Sequence, residues 1–236
     1  MKSLDTYKPK TTQSVESINL KFHLFSPEEI YKFLDDGLQV CILVRHSRRF
    51  PIKPGNWGND VLLTDKGRDY ASQLGAVFKE HHFKSFFSSP VSRCIDTCLN
   101  YAHGAGVAIK WDDIETKQFL GLPGAFIKEE AYSEMNPDLF WQKCFRFIES
   151  GAEDGFRPIK ENAMEILDLI RHAFSVSPSL VCSHDFVIAS LKRYLGFSSS
   201  KMPDYLEGLV FTGDNGLIKN CGIFRGLDHI IQTPGY

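Results

Sequence analysis

The chain has no apolar run approaching the roughly 20 residues that a membrane-spanning helix needs, and its polar N-terminal segment lacks the apolar stretch of a secretory leader. It also lacks net charge. With 27 Lys and Arg against 29 Asp and Glu, the balance of −2 offers no basic surplus for nucleic acid or an acidic membrane. None of the six cysteines (Cys41, Cys94, Cys98, Cys144, Cys182, Cys221) forms a Cys-x-x-Cys pair, which removes the usual zinc and dithiol signatures. Several lie in apolar segments, where a thiol behaves as a small hydrophobe, so reduced cysteines and a cytoplasmic setting are expected. His81-His82 and His103 have no neighbours that complete a metal-ligand set, Cys94 and Cys98 share a helix face as core residues, and no repeat or low-complexity tract is present. These absences leave a soluble protein acting on a small molecule, with any anion recognition local.

What is present is an ordinary globular composition, 43% hydrophobic and 24% charged over 236 residues, enough for one substantial core. Residues 1–24 read as a loosely ordered tail and 25–236 as a single domain, with 119–158 as a candidate cap insertion. Ser26-Pro27-Glu28-Glu29 carries an N-cap, a proline at the first helical position and a capping-box glutamate. Gln39–Val44 is a short, continuous apolar run, as expected of a strand covered on both faces. Thr64 caps a helix spaced by Tyr70, Leu74, Val77 and Phe78; Lys84–Ser88 reads as a strand; Ser89-Pro90 opens another helix. A weaker strand signal covers 107–117, and helices are predicted from Asn136-Pro137 and near 161–174. Ser179–Ser183 is a buried strand followed by a helix ending at Gly196, and Asp214-Asn215-Gly216 joins two late strands. The order predicts a three-layer α/β/α sandwich whose central, mostly parallel sheet carries an antiparallel edge strand.

The chemistry gathers at strand ends, where open α/β sheets bind ligands. Arg45-His46-Ser47-Arg48-Arg49-Phe50-Pro51 places guanidiniums around one imidazole. Arginine's rigid fork matches phosphate oxygens, and an imidazole with a free lone pair can attack phosphorus. Arg93 follows the next strand, and His184-Asp185 ends a later one. A phosphoryl-transfer site needs donors for three equatorial oxygens, an in-line nucleophile and an acid for the leaving oxygen, and all three have candidates here.

This heptad resembles the RHGxRxP signature of the histidine phosphatase superfamily, which includes acid phosphatases, phytases and phosphoglycerate mutases, with Ser47 in place of the usual glycine. His184-Asp185 is similar to that superfamily's His-Asp motif, and Ser88-Ser89-Pro90-Val91-Ser92-Arg93 resembles its segment bearing a third phosphate-binding arginine. Leu63-Thr64-Asp65-Lys66-Gly67 matches the L-T-x-x-G helix start, so the resemblance runs from about residue 39 to 225. It implies a phosphomonoester hydrolase in which His46 forms a phosphohistidine, Arg45, Arg49, Arg93 and His184 bind the phosphoryl oxygens, and Asp185 protonates the leaving group. No metal or cofactor is required by that scheme, and the implied partner is a small phosphorylated metabolite.

Ser47 raises the question of whether its position needs positive φ or close backbone approach. The chain length suits the mutase-like branch, whose acid is a glutamate after the third strand, which makes Glu115 the alternative donor. Asp185 is preferred because the His-Asp pair and the RHxxRxP pattern belong to one branch. Asp185 read without function is a helix cap, a role that favours its ionised form. Arg48 reads as a surface residue, Lys53 and Trp57 as a wall of the site, and Phe126, Tyr132 or Trp141 as lining for the leaving group. Rival functions are phosphoglycerate mutase-type transfer, set against by Ser47-Arg48 where that group has Gly-Glu, and a non-catalytic phosphate-binding regulatory module. Substrate identity and oligomeric state stay open.

Overall fold

A computed structural model describes residues 13–125, 135–197 and 201–226. Seven strands form one sheet: β1 (Asn19–Leu24), β2 (Gln39–Arg45), β3 (Ser85–Ser88), β4 (Glu115–Thr116), β5 (Ser179–Ser183), β6 (Glu207–Asp214) and β7 (Leu217–Arg225). Their order is β1-β7-β6-β2-β5-β3-β4. Beside them, among the described residues, run α1 (Pro27–Asp35), α2 (Asp65–Val77), α3 (Ser92–Gly104), α4 (Pro137–Ser150), α5 (Ile159–Phe174) and α6 (Asp185–Leu195). Among the described residues no helix is long and apolar enough to cross a membrane.

Strand β2 explains the layering. Its side chains alternate between faces, so Val40, Ile42 and Val44 join a cluster with α2 and α3, while Cys41 and Leu43 join one with α5 and α6. All five are fully buried. A strand covered on both faces has no polar side to show, which is why it reads as an unbroken apolar run.

Local chemistry sets the element ends. Ser26 and Glu29 form the reciprocal capping box of α1, with Glu29 N–H donating to Ser26 Oγ at 3.3 Å and Ser26 N–H to Glu29 Oε2 at 3.0 Å. The β6–β7 turn has positive φ at both Asn215 (50°) and Gly216 (74°), the pair of left-handed residues a tight hairpin needs.

Three expectations need adjustment. The segment read as a tail through residue 24 contains β1, which pairs in parallel with β7, so the ordered domain begins earlier. Its burial pattern hides few side chains, leaving no clean alternation to read. The antiparallel strand is present as β6, but it lies inside the sheet because β7 and β1 add beyond it. The strand signal over 107–117 shrinks to two residues, Glu115 and Thr116, at the sheet's far edge. Within 119–158, the aromatic side of α4 packs on α6 through Phe140, Phe147 and Phe186, a third core cluster. Phe126 and Tyr132 lie outside the described residues.

Candidate active site

The sheet brings three carboxyl-terminal strand ends side by side. β5 lies between β2 and β3, with Arg45 opposite Ser183 and Ser88 opposite Cys182. The residues leaving these ends are therefore neighbours in space: His46, His184 and Ser89. Backbone bonds continue the ladder past the strands, from His46 N–H to Ser183 O (3.0 Å) and Ser89 N–H to Cys182 O (3.0 Å).

His46 is 2% exposed, and its ring centroid lies 5.4 Å from that of His184. Its Nδ1 is 2.8 Å from the carbonyl oxygen of Ser47. A carbonyl only accepts, so Nδ1 carries the hydrogen and Nε2 keeps a lone pair. Burial pushes the imidazole pKa well below the ordinary histidine value, and its neighbours His184, Arg93 and Arg45 push it the same way. The ring is thus held neutral, in the tautomer a nucleophile needs.

Ser47 is fully buried and absent from the left-handed backbone positions of the described residues, so replacing glycine there brings no φ strain. Its N–H donates to Thr97 Oγ1 at 3.0 Å, and its hydroxyl donates to Gly67 O at 2.7 Å. The close approach belongs to Gly67 instead: a Cβ there would stand 1.9 Å from Arg48 O. The Leu-Thr-x-x-Gly start of α2 thereby ties the loop after His46 to a helix. Arg48 contributes that carbonyl while its side chain is exposed, as expected.

Arg45, on the last residue of β2, donates from Nη2 to Asp185 Oδ2 (2.9 Å) and from Nη1 to Pro203 O (2.9 Å). Its guanidinium sits 4.4 Å from the ring centroid of Tyr205. Arg93, in the first turn of α3, is 3% exposed and donates to Gly58 O (2.5 Å) and His184 Nδ1 (3.3 Å). Burial lowers its pKa, but a guanidinium keeps its charge throughout the physiological range. Because Arg93 can only donate, His184 Nδ1 accepts and His184 Nε2–H donates to Ser89 Oγ at 2.9 Å. Both ring nitrogens of His184 are engaged within the protein. Arg49 is half-buried, donates to Phe50 O, and its charge acts on Arg93.

Asp185 accepts from Arg45 and, through Oδ1, from Phe186 N–H at 2.8 Å in the first turn of its own helix. The N-cap of that helix is His184, with no side-chain cap bond, so Asp185 is its first residue and not the cap expected of it. Glu115 is elsewhere. It pairs with Lys117 at the β4 edge, in register with Phe87 of β3, and lines a cavity of about 610 Å³ with Glu165, Asp168, Arg171 and His172. Trp57 packs edge-on against Phe140, 5.0 Å between centroids, and Gly55 N–H donates to Asp138 Oδ1, so the loop after the heptad is joined to α4.

Tyr205, Ser89, Thr97 and the Gly58 carbonyl belong to this constellation without having been singled out for it. Ser89 lay in a segment already quoted; Tyr205 lies in irregular chain with no motif. Its ring centroid is 5.7 Å from that of His46. The next residue, Leu206, is fully buried with φ of 58°, a left-handed conformation costing a branched residue about 1–3 kcal/mol. Among the described residues no group of three or more His, Cys, Asp or Glu could hold a metal ion.

The sequence model of the histidine phosphatase superfamily, branch 1, matches residues 41–207. No curated protein matches the chain in sequence. Among solved structures, the native mycobacterial glucosyl-3-phosphoglycerate phosphatase is similar over 79% of this chain and 97% of its own, at 15% identity and a TM-score of 0.51. A phosphoglycerate mutase from Bacillus anthracis is similar over 77% of this chain and 91% of its own, at 16% identity and a TM-score of 0.52. Likeness at such identity is likeness of fold. The case for Asp185 over Glu115 rests on position: Asp185 touches Arg45, whereas Glu115 pairs with Lys117.

Proposed function

The chain belongs to the histidine phosphatase superfamily, and from that premise we propose that it is a phosphomonoester hydrolase, passing the phosphoryl group of a small metabolite through His46 to water. One observation carries this reading. His46 is a neutral imidazole with Nδ1–H fixed on Ser47 O and Nε2 free, set beside His184 among the charges of Arg45 and Arg93.

In the proposed reaction the phosphoryl oxygens take hydrogen bonds from Arg45, Arg49 and Arg93, and His46 Nε2 attacks phosphorus in line with the ester oxygen. As the N–P bond forms and the P–O bond breaks, the departing oxygen takes a proton from Asp185. Water then attacks the phosphohistidine, Asp185 accepts its proton, and the N–P bond breaks to return His46 neutral. Asp185 is paired with Arg45 before substrate arrives, and a phosphate dianion that takes Arg45 for itself releases the carboxyl group toward the departing oxygen. The same anion draws Arg93 from His184 Nδ1, leaving the His184 ring beside the phosphoryl oxygens.

His46→Ala should abolish hydrolysis of an aryl phosphate, a fall of at least about 10³-fold, and acid-labile, base-stable phosphate should be trapped on the unsubstituted protein alone. Full activity in that variant would sink the assignment. Asp185→Asn should lower kcat about 10²–10⁴-fold on alkyl phosphates and less on aryl phosphates, whose leaving groups need little acid, while Glu115→Gln leaves both rates unchanged. The reverse ranking would make Glu115 the donor. A phosphoglycerate assay in which mutase turnover exceeds hydrolysis would reassign the reaction as transfer.

A further inference from the structure

We infer that Tyr205 is a positioning residue of the phosphate clamp: its ring is the platform that keeps Arg45 aimed at the phosphoryl group once Asp185 has let go. The inference rests on the phosphatase reading above. It starts from how Arg45 is held. Asp185 takes Nη2, Pro203 O takes Nη1, Nε is buried without a hydrogen-bond partner, and one face of the guanidinium lies 4.4 Å from the Tyr205 ring centroid. If an entering phosphate replaces Asp185 at Nη2, the remaining protein restraints on that fork are Pro203 O and the aromatic face. Both come from one short segment.

That segment is built to hold its place. Leu206 N–H donates to Arg45 O at 3.1 Å, so residues 203–206 grip the arginine through its main chain as well as its side chain. Leu206 adopts its left-handed backbone with its side chain in the core and its carbonyl accepting from Gly226 N–H at 3.0 Å. A strained conformation persists where its surroundings over-determine it, and such positions cluster at ligand clamps. Its consequence here is the direction of Tyr205, which reaches both Arg45 and His46. The π face attracts the guanidinium without competing for its N–H donors, which an acidic residue in the same place would do.

The test compares Tyr205→Phe, which keeps the ring, with Tyr205→Leu and Tyr205→Met, which fill similar space without a π face. With an aryl phosphate, Tyr205→Phe should stay within about twofold of the unsubstituted protein, and the two aliphatic variants should lose about tenfold in kcat/KM, a cation–π contact in a desolvated site. The loss should vanish in an Arg45→Lys background, because the ring then has no planar fork to align; a merely structural role would persist there. Thermal stabilisation by inorganic phosphate should fall in parallel, and this readout needs no turnover. An unsubstituted protein that binds phosphate but hydrolyses nothing would end the phosphatase reading while leaving the clamp open to this second measurement. Aliphatic variants that fold and match the unsubstituted protein in both readouts would overturn the inference, as would equal losses in Phe and Leu, which would point to the hydroxyl.

Discussion

Arg171 and Lys192 are as deeply buried as Arg93, at 6%, 3% and 3% exposed, yet their surroundings differ in kind. Arg171 meets Asp168 one helical turn away on α5, and Lys192 meets Glu207, which also faces Arg225. Each of those buried cations has a carboxylate within ion-pair reach. At the strand ends, Arg45 and Arg93 stand beside two histidines with Asp185 as the carboxylate bonded to Arg45, and Arg93's own bonds go to a carbonyl and an imidazole. Matched burial keeps a charge from becoming costly; a buried cation without a carboxylate bond leaves a place that an anion would stabilise. The two regions therefore separate structural charge from charge arranged for a ligand.

Exchanging the damage should sharpen this contrast most. Arg93→Ala should cut kcat/KM by about 10²–10³-fold, as expected for loss of a donor to the transferring group. Its stability in the absence of phosphate should change little or rise, since one of several like charges is removed. Arg171→Ala should do the opposite, costing about 3 kcal/mol in denaturant unfolding by removing the cation of a buried ion pair, with turnover per folded molecule unchanged. Equal effects of both variants on stability would break the distinction.

Smaller, and specific to the site, is the response to acid. His46 has a folded pKa below its unfolded value near 6.5, so below that pH the unfolded chain takes up a proton that the native site refuses. Its contribution to stability is present above 6.5 and is lost progressively as the pH falls from there toward the depressed native value. The slope amounts to at most about 1.4 kcal/mol per pH unit. His46→Asn should flatten unfolding free energy against pH in that window, and no comparable change should follow Arg171→Ala. An unchanged slope in His46→Asn would mean the ring is not held neutral by its surroundings.

The smallest effect tests the residue where the heptad leaves the superfamily pattern. Ser47→Gly removes the hydroxyl bond to Gly67 O and should cost about 1 kcal/mol in stability while leaving activity within a few-fold. A gain in stability would show that the position does prefer positive φ after all.

Much of this was legible before any coordinates. β2 is a run of apolar residues because both its faces are covered, α1 begins where a capping box is spelled out, and the late hairpin turns at Asn215-Gly216. Arg45, His46, Arg93, His184 and Asp185 were readable as a set because each ends or follows a strand or sits in the first turn of a helix. β1 escaped notice because an edge strand with few buried side chains carries no period, and Tyr205 because irregular chain carries no pattern at all. The positions of the two candidate acids came only with the fold, which puts Glu115 in the short β4 and Asp185 at the start of α6 beside Arg45.

Sequence alone determined the elements and the types of chemistry they carry, because hydrophobic period, capping and turn residues act over a few neighbouring positions. The tertiary structure decided which strand ends are neighbours, placing β5 between β2 and β3 so that His46, His184 and Arg93 share one space while Glu115 faces another. It also decided the protonation state of His46, the fit of Ser47 and the stacking of Tyr205 on Arg45. Those depend on burial and on contacts between residues far apart in the chain, which come into being only when the sheet closes.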